Sequence, residues 1–223
     1  TVISNFGLRP AFCLQAGVLF LILCLPLLIR ERAGEKLMPW SEGEAKREPG
    51  EEKNEDIVGL VKSLFGAFAA KAPLLGALYA YAASLMIGMR VAVMPVFYTQ
   101  EIGWSDEHYS QVEGGIGSAA GVAGALVGGF LADRIGVKPI VTFGMLGVSA
   151  FCVAMGVSEE LRANESFQLI FLLGTTFLIS LKTVASFALF MRLCTPAVAG
   201  TQYTLYMALA NLARVSGAAI VAF

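Results

Sequence analysis

The feature that most constrains this chain is a series of long apolar runs that contain no charged residue. Examples are Ala11–Ile29, Gly114–Ala132 and Pro139–Val157. A helix needs roughly 20 apolar residues to cross the hydrocarbon of a bilayer, whereas a helix on the surface of a soluble protein keeps a polar stripe. These runs lack such a stripe, and 57% of all residues are hydrophobic. The runs therefore predict transmembrane helices.

The pattern predicts an all-α, polytopic membrane bundle. Residues 1–29 would contain the first span, 30–73 a central linker, and 74–223 the remaining spans. Because the chain begins at Thr1 and stops at Phe223 inside an apolar run, we expect a fragment of a longer protein. The six predicted spans are Pro10–Ile29, Leu74–Tyr98, Gln111–Ala132, Pro139–Val157, Phe167–Met191 and Thr201–Phe223.

Between the first two spans lies a charged linker, Arg30–Asp56, rich in Glu, Lys, Arg, Gly and Pro. Such a composition buries too little apolar area to offset the entropy of ordering, so a disordered segment is predicted. The following segment, Ile57–Lys71, is either an interfacial amphipathic helix or the start of the next span. On the side away from the linker, the loops hold only Arg9 and Arg162, so the positive-inside rule predicts a cytoplasmic linker.

The strongest local motif is the string GFLADRIGVK at Gly129–Lys138, which joins two predicted spans. Asp133 lies at the C-terminal end of its helix, where the helix dipole disfavours an acid, so we expect a partner on a neighbouring element. Gly136 permits a tight turn. These parts suit a gating loop that latches one state of the protein and opens in another. The candidate gating residues are Gly129, Asp133, Arg134, Gly136 and Lys138.

The motif resembles the loop signature of the major facilitator superfamily, which recurs after the second helix of each half. The resemblance implies a twelve-helix secondary transporter, in which the six spans correspond to helices six to eleven. Residues 1–29 would then form the last helix of the N-terminal half, and 74–223 a truncated C-terminal half without the twelfth helix. The resemblance also implies a small-molecule solute as the ligand and the lipid bilayer as the surroundings.

The third span carries a glycine stripe whose spacing alternates between three and four residues. This spacing places all of the glycines on one helix face, where small residues allow close helix packing in a membrane. We interpret the stripe as a packing surface and not as a ligand site. Its members are Gly114, Gly117, Gly121, Gly124 and Gly128.

Three bases, Arg90, Lys182 and Arg214, lie inside predicted spans. A charge near the bilayer centre costs about 2.5–3.5 kcal/mol, so each is expected to bind solute or to pair with an acid or carbonyl elsewhere. Lys182 and Arg214 lie near midplane depth, where transporters bind substrate, whereas Arg90 could extend to the outer edge. With their polar neighbours, the candidate substrate-binding residues are Lys182, Arg214, Asn211, Arg90, Tyr203 and Ser186.

No acid lies deep in any predicted span, and Glu113 is the nearest. Ser110 and Glu113 match a capping box, an interpretation that we favour over proton coupling by Glu113. The coupling carboxylate of a proton-driven carrier would then lie in an N-terminal half outside this chain. The positive interior favours an anionic solute.

Other chemistry finds little support in the sequence. Neither a nucleotide-binding loop nor a nucleophile with a nearby base is visible, so we predict no enzyme, no cofactor and no metal. A net charge of −1 without a basic patch gives no reason to expect nucleic acid. The cysteines lack metal-ligand spacing with His108 and are interpreted as small apolar residues. They are Cys13, Cys24, Cys152 and Cys194.

The last two spans add a narrower resemblance. The strings ALFMRLC at Ala188–Cys194, AGTQYTL at Ala199–Leu205 and ALANLARV at Ala208–Val215 are similar to AmpG-type muropeptide permeases and related acetyl-CoA transporters. The resemblance implies a proton-coupled importer, or symporter, of muropeptide or another anionic solute in the inner membrane. The alternatives are a carrier of sugars, organic anions or drugs, and a membrane protein that senses or scaffolds without transport.

Overall fold

The computed structural model describes residues 13–22, 59, 62 and 66–222. The chain divides into two units, Thr1–Asp56 and Ile57–Phe223. In the first unit the described residues form one helix, α1 (Cys13–Ile22), whose side chains are exposed. The rest of the first predicted span and the linker Arg30–Asp56 lie outside the described residues, as does most of Ile57–Lys71.

The described part of the second unit is built from helices. A π-helical turn, Phe97–Glu101, extends the first of them, a second π turn, Val112–Gly117, joins α3 to α4, and a 3₁₀ turn, Pro196–Val198, precedes the last. The α-helices are α2 (Lys71–Val96), α3 (Asp106–Gln111), α4 (Ser118–Ile135), α5 (Val137–Val157), α6 (Glu159–Ala163), α7 (Glu165–Leu193) and α8 (Ala199–Ala222).

Five helical segments in the described part of the chain are long and apolar enough to cross a membrane. They match the last five predicted spans to within a few residues, so the predicted all-α membrane bundle is confirmed. The five segments are Lys71–Glu101, Asp106–Ile135, Val137–Val157, Glu165–Leu193 and Ala199–Ala222.

The start of the second segment differs from the prediction and overturns the capping box. The helix begins at Asp106, and the Ser105 side chain caps it by accepting a bond from the His108 amide at 3.1 Å. Ser110 and Glu113 therefore lie inside a continuous helix, where no unpaired amide at a helix start needs a cap. The start predicted from the sequence, Gln111, was five residues too late because the first turns of this helix are polar.

The connection between α4 and α5 is the single residue Gly136, with φ of +103°. Backbone conformations with positive φ are accessible to glycine without steric cost, which confirms the predicted tight turn. We call the end of the bundle that carries Gly136 the signature end. The opposite end carries Tyr98 and is called the aromatic end.

Two sets of helices pack through close backbone contact. In the first, α7 packs on α4 and α5, and a Cβ atom on Gly124 or Gly128 would collide with the carbonyl oxygens of Phe177 or Leu181. The glycine stripe is thus a packing surface at these two positions, whereas Gly114 faces open space. The predicted packing role is confirmed for the part of the stripe that faces α7.

In the second set, α2 packs along α8. A Cβ atom on Gly88 would collide with the carbonyl oxygen of Arg214, and one on Gly217 would collide with that of Leu85. These glycines allow the backbones of α2 and α8 to approach closely beside Arg214. No glycine stripe marks these positions in the sequence, because only single glycines are involved.

In this unit many large apolar side chains are exposed and several polar side chains are buried, the opposite of a water-soluble fold. Large apolar side chains such as Leu126 and Phe143 are more than half exposed, at 70% and 61%. Polar side chains are buried instead, among them Thr175, Lys182 and Gln202. Lipid solvates an apolar outer surface, so polar groups are hidden where neighbouring helices can satisfy them.

Candidate substrate site

Helices α2, α7 and α8 enclose a cavity of about 120 Å³. Its polar lining is concentrated on α7 and α8, while small or apolar residues such as Ala80, Ala83 and Ile87 complete the wall. We call this space the cation cavity. Its polar lining residues are Tyr79, Ser84, Lys182, Thr183, Ser186, Asn211 and Arg214.

Two of the three predicted intramembrane bases meet in this cavity. Lys182 is only 2% exposed, while Arg214 is exposed on α8. Within residues 66–222, no carboxylate lies within ion-pair distance of either base. Their like charges repel one another. A buried cation without a partner is costly, so an anion that entered the cavity would be stabilised.

A hydrogen-bonded chain ties α2 to α7 beside Lys182. The Tyr79 Oη atom lies 2.6 Å from Ser186 Oγ, which donates to the Lys182 carbonyl at 2.7 Å. Tyr79 was not among the residues that the sequence singled out. The available signal was its spacing from Arg90, because about three helical turns place both residues on one face of α2.

The other predicted binding residues divide between the cavity and its surroundings. Ser186 and Asn211 line the cavity together with the two bases. Tyr203 instead packs in the apolar cluster around Tyr206, closer to the signature end. Arg90 lies outside the cavity lining and belongs to a separate cluster.

This second cluster is formed by Arg90, Glu113, Thr175 and Thr176 and is called the Arg90 cluster. Arg90 Nη1 lies 3.8 Å from Glu113 Oε1, and Arg90 Nη2 donates to Thr176 Oγ1 at 3.0 Å and to Thr175 Oγ1 at 3.3 Å. The Arg90 side chain is 16% exposed. The outward extension that the sequence allowed for Arg90 is not seen, because the guanidinium finds its partners on neighbouring helices.

Aromatic side chains close the aromatic end around this cluster. Tyr98 is fully buried, and its hydroxyl donates to the Gln168 carbonyl at 2.7 Å. Trp104 Nε1 donates to Gln168 Oε1 at 3.1 Å, and the Tyr98 and Trp104 rings lie 4.7 Å apart. The Tyr109 ring lies 5.5 Å from the Tyr98 ring. These contacts hold the ends of α2, α3 and α7 together.

The membrane-length helices, with polar side chains buried between them, agree with a comparison against known families. The sequence model of the Major Facilitator Superfamily matches residues 1–218. The chain belongs to the major facilitator superfamily. It is therefore a multi-pass membrane protein of a family whose members carry small-molecule solutes. No curated protein and no solved structure gives a significant match to it.

The string Gly129–Lys138 covers the end of α4, Gly136 and the start of α5 at the signature end. Asp133, Arg134 and Lys138 are exposed, and the Arg134 guanidinium stacks over the Phe130 ring at 4.5 Å. Among the described residues, Asp133 makes no ion pair. The expected latch partner of Asp133 stays a prediction.

Proposed function

We propose that this chain is part of a secondary active carrier that imports a small anionic solute. The observation that carries the proposal is the meeting of Lys182 and Arg214 in one cavity, with no acid partner in the described residues. Asn211 and Ser186 add uncharged polar groups to the same lining. Facilitator-type carriers bind solutes near the midplane between their two halves, which is where such a cavity would meet the other half.

The size of the cavity bears on the solute. Cavities that hold a complete drug-sized ligand measure about 300–1,000 Å³, whereas the cation cavity measures about 120 Å³. It therefore suits the anionic group of a solute whose remainder contacts the other half. A cell-wall muropeptide fits this description. The stretch Ala208–Val215, which resembles muropeptide permeases, contributes Asn211 and Arg214 to the lining.

We further propose that transport is coupled to protons and that Glu113 is a coupling carboxylate. Support comes from its distance of 3.8 Å to Arg90 and from its place in the π turn Val112–Gly117. Such turns occur frequently at functional sites. Protonation of Glu113 would remove its attraction for Arg90 and free α2 from the joining turn between α3 and α4.

The topology proposed for this carrier follows the positive-inside rule. Residues 1–29 end the N-terminal half, 30–73 form a cytoplasmic linker, and 74–223 belong to the C-terminal half in the inner membrane. The loop with Asp133 and Arg134 would then latch the cytoplasmic gate.

The proposal is tested by uptake of a radiolabelled anhydro-muropeptide into cells that express the full-length protein, with and without a protonophore. We expect uptake above that of empty cells, and we expect the protonophore to abolish it. Lys182→Ala or Arg214→Ala should lower the uptake rate at least tenfold, because a charge-assisted hydrogen bond contributes about 1.5–3 kcal/mol.

Arg192→Ala is the matched control, since Arg192 is an exposed base on α7 outside the cavity lining. It should transport like the wild type at equal expression. Glu113→Gln should keep solute exchange but lose uphill uptake. If no anionic probe is transported, the carrier proposal for anions fails. If other anions are transported but the muropeptide is not, the muropeptide assignment fails, and a panel of organic anions and sugar acids is tested as solutes instead.

A further inference from the structure

The hydrogen bonds made by residues that line the cation cavity narrow the class of anion that the cavity would bind. This inference rests on the proposed anion site. Ser186 Oγ lies 2.7 Å from the Lys182 carbonyl oxygen and 2.6 Å from Tyr79 Oη. A serine hydroxyl has one hydrogen, and a carbonyl oxygen can only accept. The serine hydrogen therefore goes to the carbonyl, since otherwise two lone-pair oxygens would face each other at 2.7 Å.

This assignment fixes the direction of the second bond. With the serine hydrogen committed, the Tyr79 hydroxyl must donate to Ser186 Oγ. The Tyr79 oxygen then keeps a lone pair, and no other hydrogen bond from a described residue reaches it. Because Tyr79 lines the cavity, it presents a hydrogen-bond acceptor there.

Thr183 behaves in the same way. Its hydroxyl donates to the Ile179 carbonyl at 2.7 Å, so it also offers only an acceptor to the cavity. Lys182 and Arg214 carry donors and no acceptor. The cavity thus combines donors with positive charge and neighbouring hydroxyl oxygens that accept.

We propose that Tyr79 is a specificity-determining residue and that the solute carries a hydroxyl or N–H donor next to its anionic group. The anionic group would bind between Lys182 and Arg214, and the adjacent donor would bind the Tyr79 oxygen. A site built to pair a substrate donor rejects an analogue that lacks the donor, because a polar group of the site is then left unpaired. Hydroxy acids and acylated amino acids meet this requirement, whereas simple carboxylates do not.

The test compares lactate with 2-fluoropropanoate, two carboxylates of similar size of which only lactate has a donor beside the carboxylate. Binding is measured on the purified full-length protein in lipid nanodiscs with radiolabelled lactate, and 2-fluoropropanoate is measured by displacement. We expect lactate to bind about five- to tenfold more tightly, which corresponds to one hydrogen bond.

Tyr79→Phe keeps the ring, which packs against Phe190 at 5.9 Å, and removes the hydroxyl. The Tyr79→Phe variant should bind lactate and 2-fluoropropanoate with equal affinity. Its affinity for 2-fluoropropanoate should stay within about twofold of that of the wild type. A variant that weakened both probes equally would indicate a merely structural tyrosine and overturn the inference. Equal affinities in the wild type would also overturn it, while leaving the anion site in place. No saturable binding of either probe would instead refute the anion site itself.

Discussion

The membrane-length helices carry three internal bases in two contrasting settings, the cation cavity and the Arg90 cluster. Arg90 has an acid at 3.8 Å and donates to two threonines. Lys182 and Arg214 share a cavity and, within the described residues, have no acid partner. The contrast separates a base that holds helices together from bases that remain available to a ligand.

The two settings predict opposite effects on stability. Breaking a partly buried ion pair such as Arg90–Glu113 leaves a charge without its partner and destabilises a protein. Removing a base that has no partner instead removes a charge that is costly to bury. The four predictions below test this contrast, in order of the expected change in the free energy of unfolding.

The largest effect is expected where the wall of the cation cavity depends on backbone contact. Gly88→Leu would force α2 away from the Arg214 carbonyl and should destabilise the protein by about 3 kcal/mol, as overpacking does. Gly114→Leu is the control, because open space surrounds that position. Thermal unfolding in detergent measures both variants. Equal stability of the two would show that the close approach of α2 and α8 is not required.

Arg90→Met should lower the free energy of unfolding by about 2 kcal/mol, since it leaves Glu113 unpaired and removes bonds to Thr175 and Thr176. The double variant Arg90→Met with Glu113→Gln should recover part of the loss. The same unfolding measurement applies, with Arg192→Met as the exposed control. A loss in the double variant as large as in the single one would argue against the ion pair.

Lys182→Met should act in the opposite direction and raise the free energy of unfolding by about 1–2 kcal/mol. Methionine keeps the length of the side chain and removes the buried charge. Anion binding should be lost in the same variant, and equilibrium binding of radiolabelled lactate measures that loss. A variant that was less stable than the wild type would reveal a structural partner for Lys182 and would break the contrast between the two settings.

Tyr98→Phe should have the smallest effect, a loss of about 1 kcal/mol, because it removes one buried hydrogen bond to the Gln168 carbonyl while keeping the ring. Anion binding should stay within twofold of the wild type, since Tyr98 lies outside the cavity lining. Unfolding and lactate binding are measured on the same samples. Loss of binding would show that the aromatic end and the cation cavity are coupled.

The features that were predictable from sequence are those encoded within one helix or one turn. Long uncharged runs located the membrane-length helices, and the spacing of the glycine stripe identified a packing face. Gly136 was recognised because a one-residue turn needs positive φ. Lys182 was singled out because a charge inside a predicted span needs a ligand or a partner.

The features that the sequence missed all depend on which helices are neighbours. Glu113 was interpreted as a cap, but the helix extends further than its polar start suggested, and the residue pairs with Arg90 on another helix. Tyr79 gained its role only because Ser186 lies opposite it. Likewise, a single glycine such as Gly88 has no local signature of a helix crossing.

By itself, then, the sequence determined that the chain forms apolar helices, where they begin and end to within a few residues, and which of them carry charge. The tertiary structure decided which charges have partners. The physical reason is that helix formation and membrane burial depend on residues within about 20 positions of one another. Pairing depends instead on contacts between helices that are distant in sequence, such as the one at 3.8 Å between Arg90 and Glu113.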